Sequence, residues 1–107
     1  MRTMITVTTS DKNLVYAIWD LQSEGVEIRE SFAKAEGQII TEVVAYISLA
    51  SAVLSFLGGL FQLMKSPKDK SPSAPTIRIH LPENSSNVIQ FIEANKGEIN
   101  IQIHQEH

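Results

Sequence analysis

Apolar and polar positions alternate at the start of the chain, where Ile5 and Val7 stand between Thr6 and Thr8. Period two with β-branched residues predicts a strand. Leu14, Ala17, Ile18 and Leu21 follow at helical spacing, so residues 11–24 read as an amphipathic helix. Ser10 or Asp11 caps its start, and Gly25 ends it where a left-handed residue is needed. Val26-Glu27-Ile28-Arg29 returns to period two and predicts a second strand. The second half repeats the order. Ile77, Ile79 and Leu81 alternate with Arg78 and His80. Val88, Ile89, Phe91 and Ile92 lie on a short helix capped by Ser85 or Ser86 and stopped at Asn95-Lys96-Gly97. Ile99, Ile101 and Ile103 alternate with Asn100, Gln102 and His104. At one constant offset Ile5 matches Ile77, Val7 matches Ile79, Trp19 matches Phe91 and Gly25 matches Gly97. Two β-α-β units follow from this pattern.

Between them runs a stretch, residues 43–64, without a formal charge. Helical character is predicted over about 34–65, roughly 48 Å at the α-helical rise. The strands are short enough that the sheet is about 17–23 Å tall, so a straight helix would overshoot it. Either it breaks, with Gly58-Gly59 as the break point because glycine costs about 1 kcal/mol inside a helix, or it projects. Lys34, Gln38, Thr41, Ala45, Ser48, Ala52, Ser55, Gly59 and Gln62 recur at steps of three and four, a narrow stripe of small or polar residues. Ser51, Ser55 and Gly59 fit the same kind of stripe, and Gly58 adjoins it. Val43, Val44, Ile47, Leu49, Leu54, Leu57, Leu60 and Phe61 surround the stripe with apolar bulk. A helix with so little polar face must be covered by its own sheet, by a second copy, by another protein or by lipid. An apolar helical run of this length also suffices for a hydrocarbon core of about 30 Å. Lys65, Lys68 and Lys70 follow it closely, as on a cytoplasmic flank. A permanent span would put the two matched units on opposite sides of a membrane. If lipid is the partner, insertion is therefore expected only on activation. Residues 66–75 contain Pro67, Pro72 and Pro75 and read as an extended tether, with Ser66, Pro67, Lys68 and Lys70 as hinge or cleavage candidates.

Composition narrows the function. The 107 residues carry a formal charge of −3, which argues against nucleic acid as the main partner. No cysteine is present, so disulfides, thiolate metal sites and cysteine nucleophiles are excluded. Residues 1–10 alternate instead of forming an apolar block and are not read as a signal peptide. Asn84-Ser85-Ser86 matches a glycosylation sequon, and without a secretion signal it is read as chance. His80 and His104 fall on the polar side of two predicted strands. With Glu98 or Glu106 they would suit zinc, but solvent-facing strand residues are the simpler account, and His107 stands at the end of the chain. Asp11, Asp20 and Glu24 read as helix cap and helix surface, and Trp19 as core. Ser48, Ser51 and Ser55 lack a histidine partner and a nucleophile-elbow motif, and Gly58-Gly59 lacks the lysine of a phosphate loop. No catalytic residue, metal or cofactor is therefore expected, and the chain is not read as an enzyme.

The order of elements resembles the effector-associated constant component domains of bacterial conflict systems. The resemblance is carried by ITVTTSDKNLVYAIWDLQSEGVEIRE, AEGQIITEVVAYISLASAVLSFLGGLFQLMKS and TIRIHLP, from about residue 4 to 81. It is a pattern of elements: strand, helix with a late aromatic, strand, long apolar region with a glycine pair, then a strand-rich end. One departure is the C-terminal unit, read here as strand–helix–strand where the family has more often a hairpin. The resemblance implies a small non-catalytic partner of immune-type effectors, found with proteases and nucleotide-driven regulators, and it brings no catalytic residues.

The expectation is thus one α+β domain over 1–107. Two β-α-β units form a small sheet of about four strands, joined by a long apolar central helix. The function expected is a non-catalytic interaction or adaptor component of a bacterial defence system, cytoplasmic and homo-oligomeric, docking a protease or other effector through that helix. The alternative is a membrane-inserting effector whose helix is released by a protease or partner.

Overall fold

The segments with clear period two form strands in a computed structural model, which describes residues 3–35, 37–65 and 75–105. Thr3–Thr9 is β1, Lys12–Trp19 is α1 and Val26–Ala35 is β2. Gln38–Ile47 is β3 and Ala50–Lys65 is α2. Thr76–Leu81, Ser86–Asn95 and Ile101–Gln105 are β4, α3 and β5. The fold is α+β. Its five-stranded mixed sheet has the order β2-β3-β1-β4-β5, one strand more than the expected four. α1 is shorter than the predicted 11–24. Asp11 caps it, accepting from the N–H groups of Asn13 and Leu14, and Asp20 closes it.

The two expected units differ in kind. β4 and β5 are adjacent and parallel, joined through α3, so the C-terminal unit is β-α-β. In the N-terminal unit β3 lies between β1 and β2, antiparallel to both, and splits the unit. β1 and β4, the first strands of the two units, pair antiparallel at the sheet centre with Ile5 opposite Ile79 and Val7 opposite Ile77.

The long central helix is a correction. The expected helix over 34–65 is instead the end of β2, then β3 and the 16-residue α2. Two forces decide against helix over 38–47. Ile39, Ile40, Thr41, Val43, Val44 and Ile47 are β-branched and lose side-chain freedom in a helix. The segment also places Thr41, Val43, Ala45 and Ile47 against the core, all buried, at a spacing of two. The pairing of Ala35 with Gln38 closes a β2–β3 hairpin, with Gly37 at φ +78° in the left-handed region. The stripe of threes and fours from Lys34 to Gln62 is therefore not a single helical face, because its first half follows strand geometry.

All three helices pack on one face of the sheet. Ile5, Val7, Val26, Ile28, Val43, Ile47, Ile77 and Ile79 meet Val15 and Ile18 of α1, Val53, Phe56, Leu57, Leu60 and Phe61 of α2, and Val88 and Ile92 of α3 in one cluster. The buried α2 positions recur at three and four, the apolar stripe of a globular helix. Gly58-Gly59 does not break α2. A Cβ on Gly59 would stand 2.7 Å from Leu21 Cδ2, so the glycine lets the chain after α1 lie against the helix. Gly58 is looser, since a Cβ there would meet Phe91 Cζ at 3.8 Å, while Phe91 stacks with Phe61 at 6.3 Å between ring centres. Gly58→Ala adds a methyl in ordinary contact and removes backbone freedom from the unfolded chain. It is expected to stabilise the protein by roughly 0.5–1 kcal/mol, raising the melting temperature by a few degrees. A thermal melt followed by circular dichroism checks this, and a lower melting temperature would show that α3 leaves no room for it.

Candidate functional site

The apolar residues expected to form an interaction helix are mostly core. Val43 and Ile47 point from β3 into the cluster, and Leu57, Leu60 and Phe61 enter it from α2; all five are buried. Val44 lies on the opposite side of β3, half-buried. Ala52, Leu54, Gly58 and Gly59 are half-buried on α2. Ser51 and Ser55, the small residues of the proposed seam, are exposed to solvent. Ser48 and Leu49 fall in the junction between β3 and α2, where Ser48 N–H donates to the Gly25 carbonyl at 2.9 Å. Leu49 is 44% exposed and lies against Gly25. Among the described residues no helix is long and apolar enough to cross a membrane. The hinge or cleavage candidates Ser66, Pro67, Lys68 and Lys70 lie outside the described residues.

With the apolar run absorbed, two surfaces remain. The first is the sheet face without helices. A row crosses all five strands as Glu27, Tyr46, Met4, His80 and His104. His80 and His104, on the polar side of two strands as expected, lie side by side, stacked 5.0 Å apart between ring centres with their planes 15° from parallel. Arg78 reaches across β1 to Glu42 at 3.3 Å, a half-exposed pair that contributes little to stability but covers Thr6, which is only 5% exposed. Glu98 sits in the turn before β5, at the opposite end of that strand from His104, and Glu106 and His107 lie outside the described residues. Among the described residues no three metal-ligating side chains converge. On this face Met4, Val44 and Tyr46 lie half-buried among polar side chains, and a hollow of ≈ 240 Å³ opens at its margin between Gly25, Val26, Glu27, Tyr46 and Ser48.

The second surface is apolar and was not read from the sequence. β2 and β3 run ten residues each against seven in β1, so their hairpin extends past the rest of the sheet. On the helix side of this hairpin stand Phe32, level with the last residue of β1 and 67% exposed, and Ile39, beyond it and 44% exposed, with Tyr16 of α1 beside them at 67%. They line a hollow of ≈ 250 Å³ together with Lys12, Val15, Glu30 and Thr41. Glu30 is fixed there by the indole of Trp19, whose Nε1–H donates to Oε1 at 2.7 Å. Trp19, a core residue by its helical spacing, packs half-buried against the core and turns its polar edge to this surface. β2 is also the last strand of the sheet, so every second backbone N–H and C=O along it faces outward. The signal was present in the sequence: Phe32 continues the parity of Val26 and Ile28, and a strand carried through it points Phe32 inward where no helix covers it.

No family model matches the chain, and no match was found among curated proteins or solved structures.

Proposed function

We propose that this chain is a non-catalytic interaction component of a bacterial defence system, docking a protease-type or other effector or a second copy of itself. The observation that carries this reading is the exposed trio Tyr16, Phe32 and Ile39 beside an open ten-residue edge strand. Large apolar side chains clustered at a free edge are unusual on a surface that no partner covers, because such an edge is a template for pairing. The resemblance to effector-associated components supports the defence setting, and the apolar cluster beside an open strand edge supports a binding role. The apolar helix has moved from docking surface to core, and the hairpin arm takes its place.

Deletion of the gene from its host, followed by phage challenge, is expected to raise plaquing efficiency. Complementation with Phe32→Asp is expected to fail where the unmutated gene restores protection. Unchanged plaquing after deletion across the phages that infect the host would overturn the defence role. Fractionation of the protein expressed alone separates the membrane-effector alternative, which requires recovery with membranes and loss of viability. An interaction component is expected in the supernatant, with growth unaffected.

A further inference from the structure

We infer that two copies of this chain join through their β2 edges, antiparallel about a twofold axis at Phe32, extending the sheet continuously across both. The inference rests on the interaction reading for its biological purpose, while its geometry stands on β2 alone.

In a continuous sheet, residues opposite each other must share a face, so β2 can pair with itself only about a residue, and each choice sets every other pair. Centring on Arg29 opposes two guanidinium groups, and centring on Glu30 opposes two carboxylates; like charges directly opposite destabilise a ladder. Centring on Ser31 sets Ile28 against Lys34 and Glu30 against Phe32, wasting both apolar side chains. Centring on Phe32 sets phenyl ring against phenyl ring and places each Glu30 opposite the partner's Lys34, twice by symmetry. Between them Ser31 faces the partner's Ala33 on the open side, two small side chains that do not obstruct the approach.

The single protomer is prepared for this register. Phe32 is the exposed residue at the twofold, and Tyr16 and Ile39 flank it on the same side, so an apolar patch forms over the axis. Glu30 is held by Trp19 through Oε1, and among the described residues Oε2 accepts no hydrogen bond, leaving it for the partner's Lys34. Lys34 makes no ion pair among the described residues. The charges along this edge, which ordinarily guard a strand against pairing, are here arranged so that the Phe32 register is matched while the registers on either side of it, centred on Ser31 and Ala33, set Phe32 against Glu30 or Lys34.

Sedimentation equilibrium of the full chain over a range of concentrations tests this. The expected mass rises toward twice the chain mass as concentration increases. Phe32→Asp is expected to remain at the chain mass with its melting profile retained, because the side chain is exposed in the protomer. Lys34→Glu opposes carboxylates at two symmetric places and is expected to weaken dimerisation on the order of tenfold or more, and the double swap Glu30→Lys with Lys34→Glu to restore it. A wild-type chain that stays monomeric throughout overturns the inference, as does a dimer indifferent to Phe32→Asp or a double swap that rescues nothing. A monomer that still protects its host against phage removes the dimer and leaves the interaction role standing. A dimer in a host indifferent to the deletion does the reverse.

Discussion

Leu57→Asp is expected to abolish cooperative folding, while Ser55→Lys, two residues earlier on the same helix, is expected to change stability by no more than about 0.5 kcal/mol. Leu57 has no exposed surface and sits between Val53, Phe56, Leu60 and Phe61 in the cluster that all three helices share with the sheet. Removing its side chain forfeits roughly 1.5–3 kcal/mol of burial. Placing a carboxylate there with no partner adds several kcal/mol more, whether the group ionises or is forced to keep its proton. The sum is comparable with the whole stability of a domain this size, about 5–15 kcal/mol. Ser55 faces solvent, and a lysine there extends into water. A seam of small residues, whether against another protein or in a lipid-embedded helix pair, predicts a different response at Ser55, because its close approach depends on Ser51, Ser55 and Gly59. Thermal melts of both variants followed by circular dichroism decide between the two. A cooperative melt of Leu57→Asp at the wild-type temperature would remove α2 from the core, and a collapsed Ser55→Lys would restore the seam.

The strands that alternate cleanly were legible because their two faces meet different environments. Ile5 and Val7 face helices while Met4 and Thr8 face the open side, and the same holds for Ile77 and Ile79 against Arg78 and His80. β3 was misread because its faces do not contrast. Val43, Ala45 and Ile47 enter the core, yet Val44 and Tyr46 on the other face are apolar too and half-buried between neighbouring strands. A run apolar in both parities looks continuous and merges with the helix that follows, and periodicity alone cannot divide it. The arbiters were local: β-branched side chains before Ile47, their absence from α2 except Val53, and Gly37 preceding the run as a hairpin residue. Intrinsic propensity marks Gly58-Gly59 as a break, but tertiary contact with Leu21 and Phe91 prevails over propensity there.

The candidate site was harder to see for a related reason. Its residues are ordinary core types that the fold leaves uncovered. Phe32 shares the inward parity of Ile28, but it stands on the edge strand level with Thr9, the last residue of β1, where the helical layer leaves it exposed. Such exposure depends on where other elements stop. The pairing of His80 with His104 was legible because it needs only parity on two strands, and the parallel register brings it about.

Gly25→Ala is expected to destabilise the protein by about 2–5 kcal/mol, against roughly 1 kcal/mol for Gly37→Ala. Both glycines hold left-handed backbone, at φ +83° and φ +78°, where an L-residue costs about 1–2 kcal/mol, offset in part by lower freedom of the unfolded chain. They differ in surroundings. A Cβ on Gly37 meets nothing within 4 Å, whereas one on Gly25 meets Leu49 Cγ at 2.6 Å and Cβ at 3.0 Å. A turn about χ1 moves Cγ and Cδ1, but Cβ is fixed to the backbone, so clearing every contact requires the side chain and the junction to move together. The Gly25 carbonyl accepts the Ser48 N–H at 2.9 Å, and this contact fastens the start of β2 to the point where β3 ends and α2 begins. Strain at Gly25 is therefore transmitted to the junction that divides the apolar run into strand and helix. Leu49→Ala removes Cγ and Cδ1 and leaves only the 3.0 Å contact, which a shift of a few tenths of an ångström relieves. In the double variant Gly25→Ala with Leu49→Ala the penalty at Gly25 is expected to fall toward that of Gly37→Ala, a coupling of about 1–3 kcal/mol in a double-mutant cycle from urea unfolding. Additive effects would leave backbone strain as the whole cost and detach the β3–α2 junction from the turn that precedes β2.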